Sequence, residues 1–267
     1  MIVVVPVDPP RAGLVCPSLV EETRLTPGDA VRLYEGAVKD VCAAAVASGG
    51  DLLVNYRDEE TLPDANDEEA DDDGKSNTNA KAAVCTLVED ALGFDLEGEG
   101  ENDDDRPIRF ERQVGSSRSA RIGNTVTHLL EREGADSVAV LDPTASLVGR
   151  TEIDSAAMSL RRYDVVLGPS AGGRTYLAGF TEPVDFTDAY ARPERELQTL
   201  ANRAEKAGLQ LGLAQSVPTI ATESGLCATI ATLEARQVAA RPGGEATAAV
   251  VDELGLSIGG GGTVERR

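Results

Sequence analysis

The sequence predicts an α/β protein: a single three-layer α/β/α domain around a mostly parallel sheet. Three observations predict it. Short apolar runs recur along the whole chain. Segments with helical spacing separate most of them, which is the order that covers both faces of a parallel sheet. Apolar residues make up 41 % of the 267, with aromatics at 3 % and no Trp, so a full core is affordable and it is aliphatic.

The elements follow in order. "IVVVPV" (2–7) reads as a buried first strand, and residues 8–27 as a loop. Thr26, Pro27 and Asp29 supply an N-cap, a proline at N1 and an acid at N3. Ala30, Leu33, Ala37, Val41 and Ala44 keep helical spacing behind them, and Gly49-Gly50 ends the helix. "DLLVN" (51–55) is the second strand. A helix is expected over about 80–92, an alternating strand over 107–114 and a helix over 118–133. "SVAVLD" (137–142) is a buried strand, and a short helix lies near 152–162. Strands at 163–168 and 175–180 flank a glycine turn. A proline-started, glycine-stopped helix covers 193–208, and a strand covers 209–214. Helices near 222–236 and 245–254 complete the domain, residues 1–256. Residues 257–267, with "GGGG" at 259–262, read as a flexible tail; the glycines lack the Lys and helix of a phosphate loop.

Two acidic runs interrupt this pattern. Residues 58–79 hold ten acids and one Lys, and residues 95–105 hold seven acids. They read as solvated loops inserted between core elements. The formal charge is −21, which argues against nucleic acid and anionic membranes as partners. Outside the two runs, 29 acids face 24 basic residues. Only four basic residues are Lys against 21 Arg, a pattern of salt-adapted (halophilic) proteins that a GC-rich genome also favours. The four Cys are scattered without a C-x-x-C, so reduced thiols are expected. The N-terminus lacks a signal peptide's basic start, and no stretch is long enough to span a bilayer, so a cytoplasmic protein is expected.

The glycine turn raises the functional question. "DVVLGPSAGGRTYLAGF" (164–180) is a strand, a turn and a strand, and no acid falls between Asp164 and Glu182 in a chain with 46 of them. Such a turn can hold a phosphate, but a metal there needs hard carboxylate ligands.

Four stretches carry a family resemblance: "ETRLTPGDAVRLY" (22–34), "VAVLDPTASL" (138–147), the turn just quoted, and "VPTIATESGL" (217–226). In this order they resemble the radical-SAM/selenodomain-associated glycosyltransferase-like proteins, and more distantly 2-phospho-lactate guanylyltransferase. The resemblance runs from residue 1 to about 236. It implies the nucleotide-diphospho-sugar transferase (GT-A) fold, a nucleotide or nucleotide-sugar ligand, and a Mg²⁺ or Mn²⁺ ion bridging its phosphates.

The departures fall where that chemistry is expected. Glu22 stands where the family has Lys, and Ala171 and Gly172 stand for its paired Asp. Thr219, Ala221 and Gly225 stand for the acids of the last motif. The Asp after the fourth strand aligns with Pro143, with Asp142 one residue away. Asp142 is therefore the candidate catalytic carboxylate and the one surviving candidate metal or ribose ligand. Candidate nucleotide- or phosphate-binding residues are Asp8 and Arg11, where the fold's base-binding loop begins, Arg24, and Gly172, Gly173 and Arg174 of the turn. Arg174 either pairs with a surface acid or takes a phosphate. Asp8 and Asp142 each end a strand, and either caps a loop or meets ligand. "SSRSAR" (116–121) opens a helix with two Arg and either caps it or holds phosphate. His128 is the only histidine; it sits on a helix beside the apolar face and reads as a partly buried or surface residue, and its uniqueness excludes a multi-histidine metal site.

The expected function is a nucleotide-sugar transferase-like protein by ancestry with a degenerate metal site. Mg or Mn enters only if that reading of the site is wrong. The alternatives are a non-catalytic nucleotide- or protein-binding module and a nucleotidyltransferase of the guanylyltransferase kind.

Overall fold

The first strand, β1 (Ile2–Val7), sends Val3, Val5 and Val7 into one face of the core and Val4 into the other. A strand buried on both faces reads as a continuous apolar run, which is why "IVVVPV" shows no polar alternation. The computed structural model describes residues 1–62, 79–93 and 108–267. A short helix α1 (Pro17–Glu22) interrupts the expected loop; Leu19, fully buried, anchors it to the core. Helix α2 (Pro27–Ala47) starts on the expected capping box: Asp29 N donates to Thr26 Oγ1 at 3.2 Å, and Thr26 N donates to Asp29 Oδ2 at 2.8 Å.

Then come β2 (Asp51–Tyr56), α3 (Ala80–Leu92), β3 (Ile108–Arg112), α4 (Arg118–Glu131) and β4 (Val138–Leu141). Helix α5 (Arg150–Ser159) leads to β5 (Val165–Pro169) and β6 (Thr175–Phe180). Helix α6 (Glu196–Lys206), β7 (Leu211–Leu213), α7 (Glu223–Val238) and α8 (Glu245–Glu253) complete the domain. The sheet runs β3-β2-β1-β4-β6-β5-β7, with β6 alone antiparallel to its neighbours. Leu33, Val84, Ile153, Ile230 and Val251, from α2, α3, α5, α7 and α8, cover one face. Val126 and Leu129 of α4 and Leu200 of α6 cover the other. No helix among the described residues is long and apolar enough to cross a membrane.

Two expectations change. The C-terminal residues, expected as a tail, pair as a hairpin of β8 (Leu256–Ile258) and β9 (Val264–Arg266). Long-range contacts hold it: Val264 N donates to Glu223 Oε1 at 2.9 Å, and Arg266 pairs with Asp29. The glycines make its turn, where Gly261 and Gly262 adopt φ of 94° and 79°. The start of the first acidic run is also built in. Glu59 pairs with Arg11 and caps α3 by accepting from Ala80 N at 3.0 Å, while Arg112 meets Asp58 and Glu60. The remainder of that run, residues 63–78, and the second run at 95–105 lie outside the described residues.

Candidate functional site

All the strands except β6 point their carboxyl ends to one edge of the sheet. Asp8, Arg57, Gln113, Asp142 and Ser170 each follow directly on such an end. The chain winds outward from β1 through β2 to β3, then returns to place β4 on the other side of β1. Open α/β sheets bind ligands at this kind of reversal. A cleft of about 250 Å³ lies here, lined among others by Asp8, Tyr34, Arg118, Arg121, Asp142 and Arg174.

Both cleft carboxylates already have work. Asp142 Oδ1 accepts from Thr144 N at 2.9 Å and from Thr144 Oγ1 at 2.5 Å, closing the loop after β4. Its Oδ2 accepts from Arg118 Nη2 at 3.1 Å. Asp8 lies 3.8 Å from Arg57 Nη1, and its backbone N–H donates to the buried Tyr34 hydroxyl at 3.0 Å. Arg118 also lies over the Tyr190 ring, 5.7 Å from its centroid.

Behind the cleft runs a buried polar network that no sequence pattern announces. Arg121 Nε donates to Gln113 Oε1 at 2.7 Å, and Gln113 Nε2 donates to Asn55 O at 2.7 Å. Thr125 Oγ1 donates to Asn55 Oδ1 at 3.0 Å. These links fix the first turn of α4 to the ends of β2 and β3.

The glycine turn sits at the cleft's rim. Gly172 and Gly173 take φ of 70° and 79°, and Arg174 after them lines the cleft. Arg174 has no carboxylate within 4.0 Å among the described residues. A β-carbon on Gly173 would lie 2.2 Å from Glu194 O, so packing against the turn Pro193–Arg195 also dictates that glycine. Two candidates sit elsewhere. Arg11 is drawn to Glu59 because β1 and β2 are neighbours, and Arg24 lines a separate hollow with Glu223 and Arg266 beside the hairpin. His128 is 57 % exposed, 3.4 Å from Glu133, and outside the cleft.

Beneath the turn, Glu196 is 3 % exposed and accepts from Thr175 N at 3.2 Å and from the Thr175 hydroxyl. Burial raises its carboxyl above the usual range; Arg118 and the Thr175 hydrogen bonds oppose this without cancelling it. The folded chain therefore holds this proton more tightly than the unfolded chain. The contribution to stability is full below the ordinary carboxylate pKa and is lost as pH rises through the raised value. Glu196→Gln should flatten that part of the decline in Tm as pH rises above the ordinary carboxylate pKa of about 4.3. An unchanged slope would show that Glu196 is not the group responsible. Burial, reinforced by Asp142 and opposed by Arg174, also pushes the Cys16 thiol in the cleft wall up to about 12, so it is not a thiolate nucleophile near neutrality.

Among the described residues no group of three or more His, Cys, Asp or Glu side chains is placed to hold a metal ion. Three of the positions that the sequence resemblance sets against acids carry no carboxylate here. Thr219 is buried and meets Ser170 Oγ at 3.4 Å. Gly225 has no room for a side chain, since a β-carbon there would lie 2.0 Å from Thr219 O. Gly172 carries none.

Comparison of the whole chain places the fold. A crystal structure from Desulfovibrio desulfuricans G20, of a protein provisionally named a nucleotide-diphospho-sugar transferase, superposes with a TM-score of 0.66. The two share 18 % identity over 94 % of each chain. The chain has the nucleotide-diphospho-sugar transferase-like fold. CMP:2-keto-3-deoxy-manno-octonic acid synthetase complexed with CTP matches at a TM-score of 0.46 and 11 % identity, over 88 % of this chain and 98 % of that one. A 4-diphosphocytidyl-2C-methyl-D-erythritol synthase from Anaerococcus prevotii DSM 20548 matches at 0.43 and 12 %, over the same shares. Both scores are too low to define a common fold. No protein-family model matches the sequence, and no curated protein matches it.

Proposed function

We propose that the protein is a nucleotide-sugar transferase-like protein that binds a nucleotide or nucleotide sugar in the cleft between β1 and β4, with its metal site degenerate. The position of the cleft carries the reading: it lies at the carboxyl-end reversal of a transferase-like sheet, and arginines line it. The four sequence stretches that resemble the radical-SAM/selenodomain-associated transferases support the same ancestry.

A bridging Mg²⁺ or Mn²⁺ does not fit the residues present. Such an ion needs several free carboxylate oxygens. Asp142 spends one oxygen on Thr144 and the other on Arg118, and Asp8 faces Arg57. Closed backbone at Gly225 and buried Thr219 occupy places where the family carries acids. A metal-dependent transferase is the second reading, favoured by one observation: Asp142 stands at the end of β4, facing the cleft.

Thermal denaturation of the full chain in concentrated KCl, against UDP-, GDP- and CDP-sugars with Mn²⁺ or with EDTA, tests this. We expect at least one nucleotide to stabilise the fold equally in both; saturation at about 100 times Kd corresponds to about 2.7 kcal/mol. Turnover that requires Mn²⁺ and vanishes in Asp142→Ala would establish the second reading instead. Silence towards every nucleotide would overturn both and favour a protein-interaction role.

A further inference from the structure

Arg121 is the residue in the cleft that the fold does not account for. It is 8 % exposed, and its Nε is held by Gln113 Oε1 at 2.7 Å. Neither terminal nitrogen meets a hydrogen-bond acceptor, and no carboxylate lies within 4.0 Å, among the described residues. A guanidinium held in a cleft without a carboxylate partner is unfavourable unless solvent or an anion meets its free nitrogens. Burial weakens the hold of Arg121 on its proton, and Arg57 and Arg118 add to that, with Asp8 opposing. A guanidinium nevertheless stays charged in proteins.

The charge balance of the cleft is uneven in the same sense. Asp8 faces Arg57, and Asp142 faces Arg118. Arg121 and Arg174 are left over: among the described residues neither has a carboxylate within 4.0 Å, and Asp8 acts on Arg121 only from farther away.

We propose that the cleft takes the terminal phosphoryl dianion of a small molecule directly between Arg121 and Arg174, with no bridging metal. A phosphate monoester carries about −1.5 to −2 at neutral pH, which matches the two unpaired guanidinium groups. A carboxylate brings half that charge, and a nucleic-acid strand meets the repulsion of the whole chain. The planar guanidinium fork suits phosphate oxygens, and fixing Nε on Gln113 leaves the two terminal nitrogens for the ligand. Leu14, Val15 and Pro17 give the wall apolar surface against which the rest of such a ligand would pack. This inference rests on the cleft being the ligand site, and it does not require a nucleoside.

The test is calorimetric titration of the full chain with inorganic pyrophosphate in EDTA at fixed ionic strength, paired with Tm in the absence of ligand. We expect metal-independent binding that falls by about tenfold or more in Arg174→Ala and in Arg121→Gln. Without ligand, Arg121→Gln should lower Tm only to the extent that Gln113 loses its buried donor, so the deciding readout is affinity. A purely structural Arg121 would give the lower Tm with pyrophosphate affinity retained. If Arg121→Gln does not fold, Arg174→Ala decides alone, since Arg174 is only partly buried. Pyrophosphate binding that needs Mg²⁺, or that survives both substitutions, would overturn the proposal, as would no binding at all. Nucleotide binding indifferent to both arginines would sink this inference and leave the nucleotide reading standing. Pyrophosphate binding without any nucleotide response would do the opposite.

Discussion

Gly173→Ala should destabilise the fold by about 3 kcal/mol and remove the response to phosphate ligands. Two effects add. At φ 79° an alanine takes a left-handed conformation that costs about 1–2 kcal/mol. Its β-carbon would also lie 2.2 Å from Glu194 O and 2.9 Å from Glu194 C, so the turn Pro193–Arg195 must move. That turn leads straight into α6, whose Glu196 is buried against Thr175. Relief therefore has to come from the packed side of the cleft, next to Arg174. The control is Gly172→Ala. Its φ is similar, 70°, but nothing lies within 4 Å of the added carbon, so only the backbone cost of about 1–2 kcal/mol remains. Urea denaturation midpoints measure both. Equal effects of the two substitutions would mean that the contact with Glu194 does not dictate the turn.

Asp40→Ala should cost a comparable amount, about 3 kcal/mol, far from the cleft. Asp40 sits within α2, 9 % exposed, and caps a different helix: it accepts from Ala246 N at 3.0 Å and from Thr247 N at 2.9 Å in the first turn of α8. Truncation leaves both N–H groups without their acceptor in a tight contact, where Gly36 of α2 already approaches the α8 backbone. Burial raises the Asp40 carboxyl above its usual range despite these hydrogen bonds. Asp40→Asn keeps one acceptor and should fall between parent and Ala. Far-ultraviolet circular dichroism and melting temperature together read the loss; a Tm unchanged in Asp40→Ala would show that α8 docks without this cap.

Both effects are invisible in the sequence. Asp40 falls on a helix with ordinary spacing, and only the docking of α8 some 200 residues later gives it a role. The element order was legible because burial on two faces leaves apolar runs, and because Thr26, Pro27 and Asp29 build their cap from local residues. The hairpin at the C-terminus was not. Its glycines look like a linker, and what orders them is long-range: Glu223, Asp29 and Glu234 each hold one of its residues. Arg11 pairs outside the cleft for a related reason, since its partner Glu59 sits in a run that composition alone describes as solvated.

The site divides in the same way. Asp8 and Asp142 could be picked out because each directly follows an apolar strand, and strand ends gather at one edge of a parallel sheet. Arg118 and Arg121 were noticed only as two basic residues opening a helix. Gln113, Asn55 and Tyr34 carried no signal, because a buried polar side chain is defined by its partner and not by its neighbours in sequence.

By itself, the sequence determined the class of fold, the order of its elements and the absence of acids around the glycine turn. These are local properties: hydrophobic period, capping and composition act over a few residues at a time. Only the tertiary structure decided which charges meet. It spent Asp8 on Arg57 and Asp142 on Arg118, closed Gly225 against Thr219, and left Arg121 and Arg174 without a carboxylate within 4.0 Å among the described residues. Electrostatic pairing depends on distances of a few ångströms between groups far apart in the chain, and those distances exist only once the sheet has assembled.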